Sequence, residues 1–292
     1  MIIVDGKTLA DGIRRDVKKQ VETIKKQGGS ICFAAVVVGN DPASLLYVDK
    51  KKKACAEAGI DMQVFSLECD ETRAKGDVVI DLGQSELNAL LDKLSKDKKV
   101  HGVLLQLPLP AGLDARKAIS YIAPEKDVDG LTEQNFGKLA TEQQGLVPCT
   151  ALGVLHILKS TGVEVAGKNI TVIGRSGIVG KPVSLLLLKE DATVTVCHSK
   201  TKDLAAHTKN ADVVIAAAGV PNLVRANMVK QGVVVIDVGI NRTEKGLAGD
   251  VDFGNVSKKA SVITPVPGGV GPLTIAFLLK NIVECYQIQK NF

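Results

Sequence analysis

Short apolar, β-branched runs recur along the chain, and stretches of helical character separate them. The runs that predict buried strands are Cys32–Val38, Met62–Leu67, Val103–Leu107, Ile170–Ile173, Thr193–Cys197, Asp212–Ala218 and Val233–Val238. Helices are predicted in an amphipathic N-terminal segment, at about 43–58 (with Asp41 as N-cap and Pro42 in the first turn), at about 85–97, at Ser184–Leu188 and at 273–289. This alternation predicts an α/β protein with mostly parallel sheets covered by helices.

The 292 residues are more than one small core needs, so we expect two domains. One junction is predicted in the polar stretch Thr141–Gly145. A second is predicted at Thr264–Pro272, which is too rich in Gly and Pro for a regular element. The helix that follows could pack on either domain.

A glycine turn lies between the run Ile170–Ile173 and the run Thr193–Cys197. It begins at Gly174, and a helix is predicted to follow it. Strand, glycine turn, helix and strand form the first half of a dinucleotide-binding unit, in which the helix N-terminus can hold a pyrophosphate. Ser176 and Val179 replace the second and third Gly of the usual pattern, so an ordinary βα turn remains the alternative.

The end of the second strand bears on the choice of cofactor. Proteins that bind NAD usually place Asp or Glu there, about 20 residues beyond the glycine turn. This chain has His198, Ser199 and Lys200 instead, and Arg175 in the turn is suited to phosphate. The pattern favours NADP, unless Arg175 and Lys200 are only solvated surface charges.

Composition agrees with a soluble enzyme, and its mild net charge suits a small anionic substrate or nothing in particular. The net charge is +5, with acidic residues spread among the basic ones, and aromatic residues make up only 3%. These values argue against a base-stacking nucleic-acid surface, although a basic binding protein on an α/β scaffold is the rival class.

The six cysteines show no C-x-x-C pairing, which predicts reduced thiols and no metal site. No apolar stretch is long enough to span a bilayer, and no signal peptide is recognisable, so a cytoplasmic protein is expected.

Four consecutive lysines, Lys50 to Lys53, cannot share one face of a helix, because each residue turns it by about 100°. Solvated lysines explain three of them. Lys51 follows Tyr47 by four residues, which makes the two side chains neighbours. The pair suits a site in which the ring packs on a flat substrate and the amine handles protons.

Two further segments carry candidate polar groups. Gln106 lies at the end of a buried strand, where active sites of α/β sheets form, although a core glutamine bonded to backbone is the alternative. Asp127 and Asp129 precede Gly130, and a plain turn explains both carboxylates as well as a site does.

Seven segments, in order, closely resemble the methylenetetrahydrofolate dehydrogenase/cyclohydrolase family over essentially the whole chain. They are Tyr47-x-x-x-Lys51, VLLQLPLP, PEKDVDGL, VPCT, GRSGIVGKP, CHSKT and TPVPGGVGP. The resemblance implies two three-layer α/β domains flanking a cleft, the second a Rossmann-type NADP-binding domain. It implies a catalytic, folate-binding domain at 1–146 plus 271–292 and an NADP-binding domain at 147–270.

The resemblance also implies the reactions. NADP+ takes a hydride from 5,10-methylenetetrahydrofolate, and water then opens the methenyl product to 10-formyltetrahydrofolate. Lys51 would be the main catalytic group, Gln106 its hydrogen-bond partner, Tyr47 a ring-packing residue and Asp129 the group that binds the pterin's amino edge. The folate would also contact Leu105, Leu107, Pro267, Gly268, Gly269 and Val270. The cofactor would contact Gly174, Arg175, Ser176, His198, Ser199 and Ile240.

A free lysine has a pKa of about 10.4, so a proton-shuttling Lys51 would need desolvation or the neighbouring Lys50 and Lys52 to lower it. Water attack on the methenyl carbon requires no metal, and no metal ligand cluster is predicted. The resemblance further implies a homodimer in one-carbon metabolism that serves purine, methionine and histidine biosynthesis, with no nucleic-acid or membrane partner.

Two departures from the family pattern stand out. Ala151 replaces a proline common in the family, and the stretch 69–86 is longer than expected, which predicts a surface insertion. The rival enzymes are a dehydrogenase without efficient cyclohydrolase activity and one that prefers NAD. Lys51 with Gln106 argues against the first rival, and Ser199 without a nearby acid argues against the second.

Overall fold

The computed structural model describes residues 1–67, 83–244 and 246–290. Its contacts divide the chain into two compact units, each built around one parallel sheet. The six-stranded unit comprises Met1–Ile13, Leu139–Gln143 and Val147–Phe277. The three-stranded unit comprises Arg14–Lys138, Gln144–Leu146 and Leu278–Phe292.

The described residues form ten α-helices and eleven strands. The helices are α1 (Gly6–Lys26), α2 (Pro42–Ala58), α3 (Gln84–Lys96), α4 (Ala115–Ile119), α5 (Glu133–Ala140), α6 (Cys149–Ser160), α7 (Gly180–Lys189), α8 (Leu204–Lys209), α9 (Phe253–Val256) and α10 (Val270–Lys290). The strands are β1 (Ile2–Ile3), β2 (Cys32–Val38), β3 (Asp61–Leu67), β4 (Gly102–Leu105), β5 (Asn169–Ile173), β6 (Thr193–Cys197), β7 (Val213–Ala216), β8 (Val234–Asp237), β9 (Asn241–Thr243), β10 (Gly246–Ala248) and β11 (Val262–Ile263).

The sheet of the three-stranded unit has the order β3-β2-β4, and all its pairs are parallel. The central strand β2 is buried from Phe33 to Val38, as expected when both faces of a parallel sheet are covered. Ala34, Val36 and Val38 belong to a core cluster that includes the apolar face of α3. The buried sheet therefore provides a rigid support for the residues that follow the carboxyl ends of β2 and β4.

The sheet of the six-stranded unit has the order β1-β11-β8-β7-β5-β6 and is parallel throughout. All residues of β7 and β8 are buried. From β5 the chain first adds β6 on one side and then β7 on the other. The point where the order reverses, between β5 and β7, is where ligands bind in open parallel sheets.

The predicted α/β class with parallel sheets is confirmed, and the predicted strands agree with the observed ones to within two residues at each end. The expectation that Thr264–Pro272 forms no regular element is wrong at its end, because α10 begins at Val270. Pro272 falls in the first helical turn, where its missing N–H has no intrahelical partner to lose. The predicted insertion at 69–86 lies largely outside the described residues, apart from the start of α3.

The division of the chain into domains stays a prediction, although two features bear on it. Residues 2 and 3 form a strand of the six-stranded sheet, where Ile2 pairs with Val262 and Ile3 with Ile263. The helix α10 is divided between the two units after Phe277.

His101, which directly precedes β4, is a buried titratable group of the three-stranded unit. Its Nδ1 accepts a hydrogen bond from the Cys32 N–H (3.1 Å), and its ring packs at 4.8 Å on that of Tyr286. Burial first, and then the charges of Lys290 and Lys126, lower the pKa of His101 below its usual 6.5. The imidazole is therefore neutral in the folded protein at neutral pH.

The five described cysteines are free thiols, and Cys69 lies outside the described residues. Within the described ranges, no helix has both the length and the apolar character to cross a membrane.

Candidate active site

Lys51 occupies the inward face of α2. Asp41 caps this helix by accepting from the Ser44 N–H (2.8 Å), as its Asp-Pro start predicts. The side chain of Lys51 is only 5% exposed, whereas Lys50 and Lys52 are exposed. Its Nζ lies 5.3 Å from the centre of the Tyr47 ring. The helical spacing thus correctly separates one buried lysine from its exposed neighbours.

Gln106 follows β4 directly and is the partner of the buried lysine. The Lys51 Nζ donates to Gln106 Oε1 at 3.0 Å, and Gln106 Nε2 donates to the Leu107 carbonyl at 2.7 Å. The backbone N–H of Gln106 donates to Val36 O (2.8 Å), which extends the sheet register by one residue. Both ends of the amide are therefore fixed, and the oxygen faces the amine.

The two carboxylates of the turn after Pro124 have different environments. Asp127 is buried, and its Oδ2 accepts from the Thr132 N–H (2.7 Å) and from Asn135 Nδ2 (3.0 Å). Burial raises the pKa of Asp127, and these hydrogen bonds oppose the rise. Asp129 is half-buried and follows a parallel bridge between Asp127 and Val103 of β4. Asp127 therefore organises the turn, and Asp129 is the carboxylate left for a ligand.

The glycine turn of the six-stranded unit starts at the reversal point of the sheet. Gly174 has φ 123°, and a Cβ there would collide with the carbonyl of Ala217, which follows β7. A Cβ at Gly180 would collide with the carbonyl of Gly174. Close packing of helix on strand, usually given by the third glycine of the motif, thus comes from Gly180 and not from position 179. The two glycines thus allow the turn to pack closely against the end of β7 and the start of α7, as in a dinucleotide-binding turn.

Ser176 accepts hydrogen bonds from the backbone at the start of the helix that follows this turn, whose N-cap residue is Val179. Its Oγ accepts from the N–H groups of Val179 (3.2 Å) and Gly180 (3.3 Å), at the start of α7. A hydroxyl that accepts in this way still has its own proton to donate. These two hydrogen bonds are therefore compatible with the expected phosphate contact of Ser176.

The segment after β6 is ordered by its own side chains. The His198 N–H donates to Thr201 Oγ1 (2.8 Å), and His198 Nδ1 accepts from the Lys200 N–H (3.1 Å). Ser199 and Arg175 are both exposed. Ser199 and Lys200 offer a hydroxyl donor and a positive charge, and residues 198–201 contain no carboxylate that would repel a ribose 2′-phosphate.

Two buried carboxylates of the six-stranded unit were not predicted from the sequence. Asp237 is the last residue of β8, and Asp250 follows β10; both side chains are buried. Burial raises the pKa of Asp237 to about 6, against the lowering effect of three backbone hydrogen bonds. A polar residue ending an apolar run, the signal that picked out Gln106, also marks Asp237. Exposed Ile240, expected beside the cofactor, follows three residues later.

The Gly-Pro segment expected beside the folate belongs to the six-stranded unit. Gly268 has φ 108° and accepts a hydrogen bond from the Gly6 N–H (3.0 Å), while Gly269 and Val270 are buried. Pro267 is exposed. The segment is thus fixed against the start of α1.

Metal-ligating side chains do not gather in the described part of the chain: no three His, Cys, Asp or Glu residues form a cluster that could hold an ion. A glycine turn at the reversal point of a parallel sheet and a separate buried Lys–Gln pair define a nucleotide-dependent α/β enzyme.

The comparisons identify the family. Residues 4–129 match the model of the tetrahydrofolate dehydrogenase/cyclohydrolase catalytic domain, and residues 148–290 match that of its NAD(P)-binding domain. The chain belongs to the tetrahydrofolate dehydrogenase/cyclohydrolase family, which confirms the predicted resemblance.

Individual relatives agree over their full length. The Bifunctional protein FolD of Moorella thermoacetica is 50% identical over 283 residues, which are 97% of each chain. The crystal structure of the bifunctional FolD enzyme from Campylobacter jejuni has a TM-score of 0.93 and 46% identity, covering 99% of each chain. The Trypanosoma brucei enzyme, solved with NADP cofactor and an inhibitor, has a TM-score of 0.91 and 36% identity, covering 100% of this chain and 99% of that one.

Proposed function

We propose that the protein oxidises 5,10-methylenetetrahydrofolate to the 5,10-methenyl form with NADP+, and hydrolyses that product to 10-formyltetrahydrofolate. The observation that carries the proposal is the buried pair in which Lys51 Nζ donates to Gln106 Oε1 at 3.0 Å. An amine held in this way, beside the ring of Tyr47, suits proton transfer next to a flat substrate.

Bound NADP+ supplies the hydride acceptor at its nicotinamide ring. The role of the chain in this step is to hold the two reactants in line, which can supply a large part of the rate enhancement. We assign Asp129 to the pterin's amino edge and Tyr47 to packing on its ring. On the cofactor side, we assign the phosphates to Arg175, Ser176 and Ser199.

The hydrolytic step needs proton transfer more than alignment. Water adds to the cationic methenyl carbon, and one of its protons passes to the amine of Lys51. The bond from that carbon to N5 then breaks, the hydroxyl proton ends on N5, and the carbon becomes the N10 formyl group. One proton is released overall, and Gln106 keeps the amine directed at the reacting carbon throughout.

The proposal includes the organisation inferred from the sequence. It assigns catalysis and folate binding to 1–146 plus 271–292, and NADP binding to 147–270. Pro267 to Val270 and the strand-end residues Leu105 and Leu107 line the folate side, and Gly174, His198 and Ile240 lie beside the cofactor. The protein acts as a cytoplasmic homodimer that supplies one-carbon units to purine, methionine and histidine biosynthesis.

A spectrophotometric assay tests the proposal directly. Purified protein is mixed with 5,10-methylenetetrahydrofolate and either NADP+ or NAD+, and the methenyl product and reduced nucleotide are followed. Hydrolysis of methenyltetrahydrofolate is measured separately, without nucleotide, and corrected for its spontaneous rate. Oxidation preferring NADP+ together with catalysed hydrolysis is expected. Oxidation without catalysed hydrolysis would refute the cyclohydrolase part of the proposal and retain the dehydrogenase part. Equal use of both nucleotides would refute the NADP preference.

A further inference from the structure

Asp250 is a fully buried carboxylate that accepts hydrogen bonds from two separate segments of the six-stranded unit. Its Oδ2 accepts from the N–H groups of Ala218 (2.6 Å) and Gly219 (2.9 Å). Its Oδ1 accepts from Asn241 Nδ2 (2.8 Å). Three N–H donors converge on the two oxygens of this side chain, so a carboxylate accepts all three, whereas an amide would turn its nitrogen toward one of them.

The two segments flank the candidate cofactor site. Ala218 and Gly219 form the turn after β7, and the carbonyl of the preceding Ala217 lies where a side chain of Gly174 would be. Asn241 directly follows Ile240, the residue expected beside the nicotinamide. Asp250 therefore connects the turn that abuts the pyrophosphate-binding glycine with the segment that carries Ile240.

Asp237 fixes the backbone around Asp250 through hydrogen bonds. Its Oδ1 accepts from the Asp250 N–H (2.9 Å) and the Gly239 N–H (3.0 Å), and its Oδ2 accepts from the Val251 N–H (2.9 Å). Each carboxylate also fills the space beside a glycine. Asp250 lies where a Cβ of Gly239 would be, and Asp237 lies where a Cβ of Gly249 would be. These hydrogen bonds and close contacts together fix the position of the Asp250 side chain.

We propose that Asp250 is a positioning residue for the nicotinamide cofactor, which it serves by fixing the turn after β7 and the Ile240 segment relative to each other. This inference rests on the proposed function, because the roles of Gly174 and Ile240 come from it. Asp250 itself makes no contact with the reacting atoms in this account. Its loss should weaken nucleotide binding and hydride transfer, while hydrolysis of methenyltetrahydrofolate, which uses no nucleotide, continues.

The test is the isosteric variant Asp250→Asn. Its amide nitrogen must face at least one of the three donors, so either a segment moves or the Asn241 amide turns and gives up its bond to Ala248 O. We expect the Kd for NADP+, measured by titration calorimetry, to rise at least about tenfold, and the ratio of dehydrogenase to cyclohydrolase activity to fall accordingly. A merely structural defect would lower both activities together and leave that ratio unchanged.

Two further variants keep the test decisive. Asn241→Ala removes the bond between Asp250 and the Ile240 segment (2.8 Å), together with the longer bond from Asn241 Nδ2 to Ala248 O (3.3 Å). We expect a smaller rise in the Kd for NADP+ of about threefold. This variant replaces Asp250→Asn if that one fails to fold. Asp252→Asn is the matched control, since Asp252 accepts from Asn255 Nδ2 within its own turn (2.8 Å). Normal NADP+ affinity and an unchanged activity ratio in both Asp250→Asn and Asn241→Ala would overturn the inference. A parent protein that does not bind NADP+ would instead refute the proposed function.

Discussion

Replacing Lys51 with methionine separates the two proposed activities. Methionine retains most of the length of the lysine side chain, so α2 should keep its packing while the amine is lost. Gln106 Oε1 loses the donor at 3.0 Å, which costs about 1–3 kcal/mol of stability for an unpaired buried acceptor. Its Nε2 still donates to Leu107 O at 2.7 Å, so the amide keeps its orientation. A domain with a typical margin of about 5–15 kcal/mol remains folded.

The size of the kinetic effect follows from the loss of the proton carrier. A positioned acid–base group contributes about 10²–10⁴-fold to a rate, and we expect Lys51→Met to lose hydrolysis of methenyltetrahydrofolate by that factor. Hydride transfer depends mainly on alignment, so part of the dehydrogenase activity should remain. Both rates are followed spectrophotometrically, with the spontaneous hydrolysis subtracted.

The matched control is Lys50→Met, which changes an exposed neighbour on the same helix. It should leave both rates nearly unchanged. If Lys51→Met hydrolyses methenyltetrahydrofolate as fast as the parent, the lysine is structural and the proposed mechanism is wrong.

Three other predictions address the cofactor, the fold and the pH response. Ser199→Asp should weaken NADP+ binding far more than NAD+ binding, because the new carboxylate repels a 2′-phosphate; equal losses in titrations would contradict this. Gly180→Ala should lower the free energy of unfolding by about 1–3 kcal/mol in urea, since its Cβ meets the Gly174 carbonyl, whereas Gly177→Ala, with open space around it, should be near neutral. The contribution of His101 to stability should fall as the pH drops below about 6.5, because its pKa is lowered in the folded state and the unfolded chain protonates first; Asp237, with its pKa raised to about 6, acts in the opposite direction. The unfolding midpoint of His101→Asn, whose Oδ1 can replace the accepting nitrogen, should therefore shift upward relative to that of the parent between pH 7 and pH 5; a constant difference between the two midpoints would contradict this role of His101.

The sequence predicted the two parallel sheets well because their strands are buried on both faces and read as continuous apolar runs. The burial of Lys51 was equally readable, since the four-residue spacing from Tyr47 places it on a different face from its three neighbours. Both successes depend on local periodicity, which is the information that a single sequence carries most directly.

Features that depend on contacts distant in the chain escaped prediction. The pairing of Ile2 with Val262 joins segments from opposite ends of the sequence, and a two-residue strand has no periodicity to detect. The usual glycine spacing points to position 179, whereas the tertiary contact with Gly174 requires the glycine one position later, at Gly180. Asp250 has no distinctive neighbours in sequence, and only the folded chain brings the donors of Ala218 and Asn241 to it.

The edge strand β1 has a consequence for how the chain is made. Ile2 pairs with Val262, and Ile3 with Ile263, so the outermost strand of the six-stranded sheet is synthesised long before its neighbour. At about 5–20 residues per second, the ribosome needs on the order of tens of seconds to deliver the partner. During that interval Ile2 and Ile3 stay unpaired, while the three strands of the other sheet, β2, β3 and β4, are all synthesised. A fragment that starts after β1 would leave β11 as a bare edge, open to pairing with other chains.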